Sequence, residues 1–153
     1  RPDVQLGIRA GEQYRLEDLL YSLMLESHND SAAAIAEHVG GSVEGFAAMM
    51  NARAKELGCQ NTNFVNPNGL NNENHKTTPY DMALIMRAAM ENPTVRINLC
   101  ILPPLSCLRF TMAPLFGLVH PVSLLIIYYF LSDYQPFFIP GKKVTVPPYP
   151  PLL

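Results

Sequence analysis

Ser27, His28, Asn29 and Asp30 set a hydroxyl, an imidazole, an amide and a carboxylate on four consecutive residues. An acyl-transfer reaction uses groups of this kind. It needs a hydroxyl whose proton can pass to a leaving amine, and an amide that can bond the substrate's peptide group. Taken alone, the same stretch is ordinary chemistry for a helix junction, because Ser and Asn are common at caps and turns. Other routes to chemistry are excluded by residue type. The chain has no Gly-x-Ser-x-Gly elbow, no phosphate loop of the Gly-Lys-Ser/Thr kind and no His-Glu-x-x-His. His28, His38, His75 and His120 lack ligand-like partners nearby, so no metal site is expected. Cys59, Cys100 and Cys107 are odd in number, have no metal-ligand spacing, and read as buried or incidental thiols. A net charge of −2, with no Lys/Arg cluster larger than Lys142-Lys143, argues against a nucleic-acid partner.

The elements that must position the stretch are legible on both sides of it. Leu16, Leu19, Leu20, Leu23 and Met24 follow the apolar stripe of an amphipathic helix, with Glu17 and Asp18 in its first turn and an end at Glu26-Ser27. A second helix is predicted from an N-cap at Asp30 or Ser31, through Ala32–Ala36, to Gly40-Gly41. Its small side chains suit an interior position. Ser42 can cap a third helix that buries Val43, Phe46, Ala47, Met50, Ala54 and Leu57 and stops at Gly58. The segment "QNTNFVNPNGLNNENHKTTPYD" follows, so dense in Asn, Pro and Gly that it reads as a chain of turns pinned by Phe64, Val65 and Leu70. Thr78 as N-cap, Pro79 at the first helical position and Asp81 in the first turn open a fourth helix, which ends before Asn92 and Pro93. Residues 14–92 therefore read as four helices and one long structured loop. The segment from Gln5 to Arg9 is a candidate short strand.

Together these features resemble the low-molecular-weight penicillin-binding proteins, the serine D-alanyl-D-alanine carboxypeptidases. The resemblance rests on an ordered series: the Leu-rich helix leading into Ser-x-Asn-Asp, the Ala-rich helix with its Gly-Gly break, "F…MN…A..LG", "T.F.NPNGL" and "H.TT..DMALI". It covers about residues 1–96. Three motifs converge in that family: Ser-x-x-Lys with the nucleophile, Ser-x-Asn, and Lys-Thr/Ser-Gly on a strand edge. The resemblance assigns Ser27 and Asn29 to the second motif, Ser27 as proton relay and Asn29 as the group that bonds substrate and the lysine. His28, in the variable middle position, is assigned no catalytic role. No Ser or Thr in the chain has a Lys three residues on. "GKKVTV" at 141–146 and "HKTT" at 75–78 lack the Lys-Thr/Ser-Gly order. The start at Arg1-Pro2-Asp3 is neither a Met start nor a signal peptide, so a fragment or a processed chain is expected.

Past Arg96 the composition changes. Charge becomes scarce and proline frequent, and Phe110 to Ser132 carries no charged residue. Three readings of 97–153 stay open: a frame-shifted continuation, which the abrupt change favours; a membrane segment over 110–132, interrupted by Pro114, His120 and Pro121; or a folded extension. The resemblance implies an α+β fold of the serine β-lactamase/DD-transpeptidase kind. This chain would supply mainly the helical region, as a partial catalytic domain over 1–96. It further implies a peptidoglycan stem peptide ending in D-Ala-D-Ala as substrate, β-lactams as inhibitors of the intact enzyme, no cofactor, and a parent protein exported to the bacterial cell envelope. The chain alone is expected to be inactive. The alternatives are a non-enzymatic helical or membrane-associated binding module, and a β-lactamase-related protein. A helical piece without its sheet should leave apolar faces uncovered, the Ala32–Ala36 helix among them, giving poor solubility or dependence on the tail for cover.

Overall fold

The computed structural model describes residues 4–92 and 142–146, and every structural statement below concerns these residues. In chain order they form β1 (Gln13–Arg15), α1 (Leu16–Glu26), α2 (Asn29–Gly40), α3 (Val43–Glu56), α4 (Pro79–Glu91) and β2 (Lys143–Thr145). Helices dominate, as the sequence predicts. The capping chemistry also falls where expected: the Ser42 hydroxyl accepts from Gly45 N–H at the start of α3, and Thr78 accepts from Asp81 N–H at the start of α4.

Leu16, Leu19, Leu20 and Leu23 of α1 form one buried stripe against Ala32, Ala34, Ile35 and Ala36 of α2 and Phe46 and Met50 of α3. Helices α2 and α3 approach so closely at their connection that a Cβ at Gly40 would overlap the backbone of Phe46, and one at Gly45 the carbonyl of Gly40. Val43 and Leu57, expected in the buried face of α3, are only half-buried.

Four expectations need correction. Residues 5–9 form no strand. The N–H groups of Leu6, Gly7 and Ile8 go to a side chain of α2 instead, as described below, and that of Arg9 goes to Glu12. The strand lies at 13–15, where Tyr14 pairs with Val144 in an antiparallel register that also matches Gln13 with Thr145 and Arg15 with Lys143. Bonds from Gly11 N–H to the Val146 carbonyl (2.8 Å), Val146 N–H to Glu12 (2.9 Å) and Leu16 N–H to Lys142 (3.0 Å) extend this ladder at both ends. The Ala32–Ala36 helix is not uncovered: Ala32, Ala34, Ile35 and Ala36 are fully buried, and Val144 and Val146 of the tail are buried with them. Residues 142–146 thus provide cover for α2. Helix α2 begins at Asn29, not after Asp30 or Ser31, because His28 already takes the N-cap position with extended backbone. Finally, Leu70 is 43% exposed and pins nothing, whereas Phe64 is buried.

No helix among the described residues is long and apolar enough to cross a membrane. The candidate span at 110–132 lies outside the described residues, as do Cys100, Cys107 and His120.

Candidate active site

Two residues, Ser27 and His28, join α1 to α2. A connection this short has to reverse the chain at once, and Ser27 does so in the left-handed region at φ 59°, ψ 35°. It is the only non-glycine described residue with positive φ. Its N–H caps the Leu23 carbonyl at 2.9 Å. For a residue with a Cβ this conformation costs about 1 kcal/mol. Neither helix end is capped by the residue chemically best suited to it. The N-cap of α2 is His28, whose side chain makes no capping bond.

Asn29 is the first residue of α2. It is 9% exposed, and its N–H donates to the Val4 carbonyl at 2.9 Å. Its side-chain oxygen Oδ1 is buried with no hydrogen-bond partner. Leaving such an acceptor unpaired costs roughly 1–3 kcal/mol. The structure thus brings both sequence-predicted site residues into one turn, one on a strained backbone and the other with an idle buried oxygen. Hydroxyl and amide at i and i+2 in such a state can relay a proton and bond a peptide group.

Side chains that the sequence reading passed over hold this turn. His28 Nδ1 lies 2.8 Å from Ser22 Oγ on α1, and Ser22 Oγ lies 2.9 Å from Ser31 Oγ on α2. Asp30 accepts from the N–H groups of Leu6, Gly7 and Ile8 at 3.0, 2.8 and 3.2 Å, and from Ser31 N–H at 2.9 Å. Only the short spacing of Ser22, His28 and Ser31 could have signalled the first group. Nothing local signals that Asp30 would collect amides from the chain's beginning.

The Asn-rich loop 59–78 is a second polar cluster, and among its described buried side-chain atoms only His75 Nε2 lacks a partner. Asn51 of α3 faces Phe64 as a strand would, its Nδ2 donating to the Phe64 carbonyl and its Oδ1 accepting from Phe64 N–H, both at 2.7 Å. Asp81, 1% exposed, accepts from Asn61 N–H (2.8 Å), Gln60 N–H (3.4 Å) and the Thr62 hydroxyl (2.7 Å). Burial pushes this carboxyl up, but the bonds from Thr62, Asn61, Gln60 and Thr78 outweigh it and hold it below the ordinary carboxylate range. Asn66 turns the Asn66–Leu70 stretch by accepting from Gly69 N–H (2.7 Å) and donating to the Leu70 carbonyl (2.9 Å). Asn63 and Lys76 exchange backbone bonds of 2.8 and 3.0 Å, closing the loop's base. Cys59 is buried with its Sγ 3.6 Å from the Asp81 carbonyl, and burial and then the Asp81 charge push its thiol up, which suits an inert core thiol. No group of His, Cys, Asp and Glu among the described residues could hold a metal ion.

The described site is thus a strained Ser-x-Asn turn between an apolar helix and an Ala-rich one, followed by a pinned Asn-Pro-Asn-Gly loop. The chain belongs to the D-alanyl-D-alanine carboxypeptidase family, whose model matches residues 3–99. It is 37% identical over 91 residues to the D-alanyl-D-alanine carboxypeptidase DacF of Bacillus subtilis, covering 60% of this chain and 23% of that protein. It is 36% identical over 85 residues to DacC of Escherichia coli, covering 56% and 21%. It is 38% identical over 90 residues to DacB2 of Mycobacterium tuberculosis, covering 58% and 31%. The chain spans about a fifth to a third of the length of these curated relatives. The family implies the serine β-lactamase/transpeptidase-like fold, and the described residues are mostly helical, four helices with a two-stranded sheet.

Proposed function

We propose that residues 1–96 are the helical part of the catalytic domain of a serine-type D-Ala-D-Ala carboxypeptidase acting on peptidoglycan stem peptides in the bacterial cell envelope. Residues 97–153 follow, and of these 142–146 pack on the helical part through β2. In the reaction an activated serine attacks the carbonyl of the penultimate D-Ala. The terminal D-Ala leaves as the amine, and water then hydrolyses the acyl-enzyme. Ser27 takes part in passing the proton to the leaving amine. Asn29 offers its amide to the substrate's peptide group and to the catalytic lysine. β-Lactams enter the same route and stall it as acyl-enzymes.

The observation that carries this reading is the pairing of a left-handed Ser27 with a buried, partnerless Asn29 Oδ1. Strain and unmet hydrogen bonding in one turn are what a site held ready for substrate costs. The motif with the nucleophile and its lysine is not among these 153 residues. We therefore propose that this chain alone forms no acyl-enzyme. Incubation with a fluorescent penicillin should leave no labelled band on a denaturing gel; a band at the chain's mass refutes that. The roles of Ser27 and Asn29 are tested by exchanging residues 1–96 for the matching residues of the B. subtilis relative. Release of D-Ala by the exchanged protein should fall about a hundredfold or more on Ser27→Ala or Asn29→Ala. Undiminished release by both variants would overturn the assignment.

A further inference from the structure

We infer that His28 and Asp30 are the positioning residues of the Ser27–Asn29 pair, an inference that takes the reading of those two residues above as its starting point. Side chains alternate in what they do along this stretch. At 28 and 30 they make the bonds that fix the turn. At 27 and 29 they are left over: the Ser27 hydroxyl has no hydrogen-bond partner among the described residues, and Asn29 Oδ1 is buried without one.

His28 works backwards. Its Nδ1 meets Ser22 of α1, six residues earlier, and Ser22 meets the fully buried Ser31 of α2. Each group can donate along this line in one direction or the other, so all three are satisfied in either imidazole tautomer. The line bridges the last turns of α1 and the first turn of α2 and closes a ring of contacts around Ser27. Opening that ring removes what holds a β-carbon-bearing residue at φ 59°.

Asp30 works forwards. Three consecutive amides, from Leu6 to Ile8, converge on its carboxylate, with Gly7 at φ 82° turning them the same way. Together with the bond from Asn29 N–H to the Val4 carbonyl, this lays residues 4–8 across the start of α2. Asn29 is buried at this start of α2, and its Oδ1 has no hydrogen-bond partner there. A junction that needed only capping would spend the Ser27 or Asn29 oxygen on a helix end; here neither is spent.

The test reads conformation, so it stands or falls separately from penicillin labelling and D-Ala release. In the isotope-labelled 153-residue chain, the one-bond Cα–Hα coupling and Cα shift of Ser27 report positive φ, and amide shifts of Phe46 and Met50 report the core. His28→Ala and Ser22→Ala should each abolish the Ser27 signature while the core amides stay in place. His28→Asn, whose amide sits near the position of Nδ1, should restore it. Asp30→Asn should speed amide exchange at Gly7 by about tenfold or more without moving the Ser27 signature. Persistence of positive φ at Ser27 in both His28→Ala and Ser22→Ala, or unchanged Gly7 exchange in Asp30→Asn, overturns the inference.

Discussion

The turn at 27–30 and the loop at 59–78 with its anchors Asn51 and Asp81 are built from the same kinds of residue, Ser or Thr, Asn, Asp and His, yet they use them in opposite ways. In the loop and its anchors on α3 and α4, Asn66, Asn51 and Asp81 bond backbone groups on both their polar atoms, and Thr62 joins Asp81 to Thr77. The loop's one idle buried atom is His75 Nε2, on a ring whose Nδ1 already accepts from Val65 N–H and which packs edge-on against Phe64. In the turn, a strained residue and an unmet amide oxygen stand side by side. Polar residues that hold a fold are saturated, because an unpaired buried group costs as much as a bond contributes. Under the function proposed above, the unmet groups on the strained backbone of the turn are kept for substrate.

This contrast can be broken by substitution. The largest effect is expected in the loop. Asn51→Ala strands both the N–H and the carbonyl of Phe64 and should cost about 2–4 kcal/mol by denaturant unfolding. A loss below about 1 kcal/mol would mean that the loop is not held by that amide. Asp81→Asn should follow, lowering the melting temperature by roughly 5 °C or more near neutral pH. Its pH dependence has a definite sign. The native carboxyl is held below its unfolded value, so it adds stability that is fully present above about pH 4 and is lost as pH falls through the lower folded value. Asp81→Asn should remove that acid-sensitive part of the profile. An acid-unfolding curve with the same shape in variant and parent would contradict this.

Much of this contrast was readable beforehand, and some was not. Thr78 and Pro79 announced the start of α4, and Ser42 that of α3, because capping bonds join residues three apart. Loop anchors reach further. Asn51 meets Phe64 across thirteen positions, and Asp81 meets Asn61 across twenty. Ser27 and Asn29 are singled out by residue type and company, but the left-handed backbone at Ser27 is not foreseeable, since Ser has no preference for that region. The strand misplaced at 5–9 has the same cause: its amides pair with the Asp30 side chain, a partner that alternation of residue type cannot indicate.

In the turn the expected effects are smaller and partly reversed. Ser27→Gly relieves the left-handed strain and should raise stability by about 1 kcal/mol. Asn29→Ala removes an idle buried oxygen at the expense of the packing of its amide, and should raise stability or leave it unchanged. Both should cost activity in the exchanged relative. A clear loss of stability in both would place the turn with the loop, as scaffold. The smallest effect belongs to neither region. The exposed Arg15–Asp18 pair, at 2.8 Å, should contribute no more than about 0.5 kcal/mol on Asp18→Ala and serves as the reference for a surface contact.

The pairing of β1 with β2 also fixes an order of events. Helices α1, α2 and α3 are neighbours in the chain and can meet as soon as they emerge, whereas Tyr14 must wait for Val144, nearly the whole chain later. Closing so long a loop costs entropy that no local contact repays. During synthesis the edge of β1 and the apolar flank of α2 therefore stay open until residues 142–146 have left the ribosome, and that interval is when the chain is most exposed to self-association.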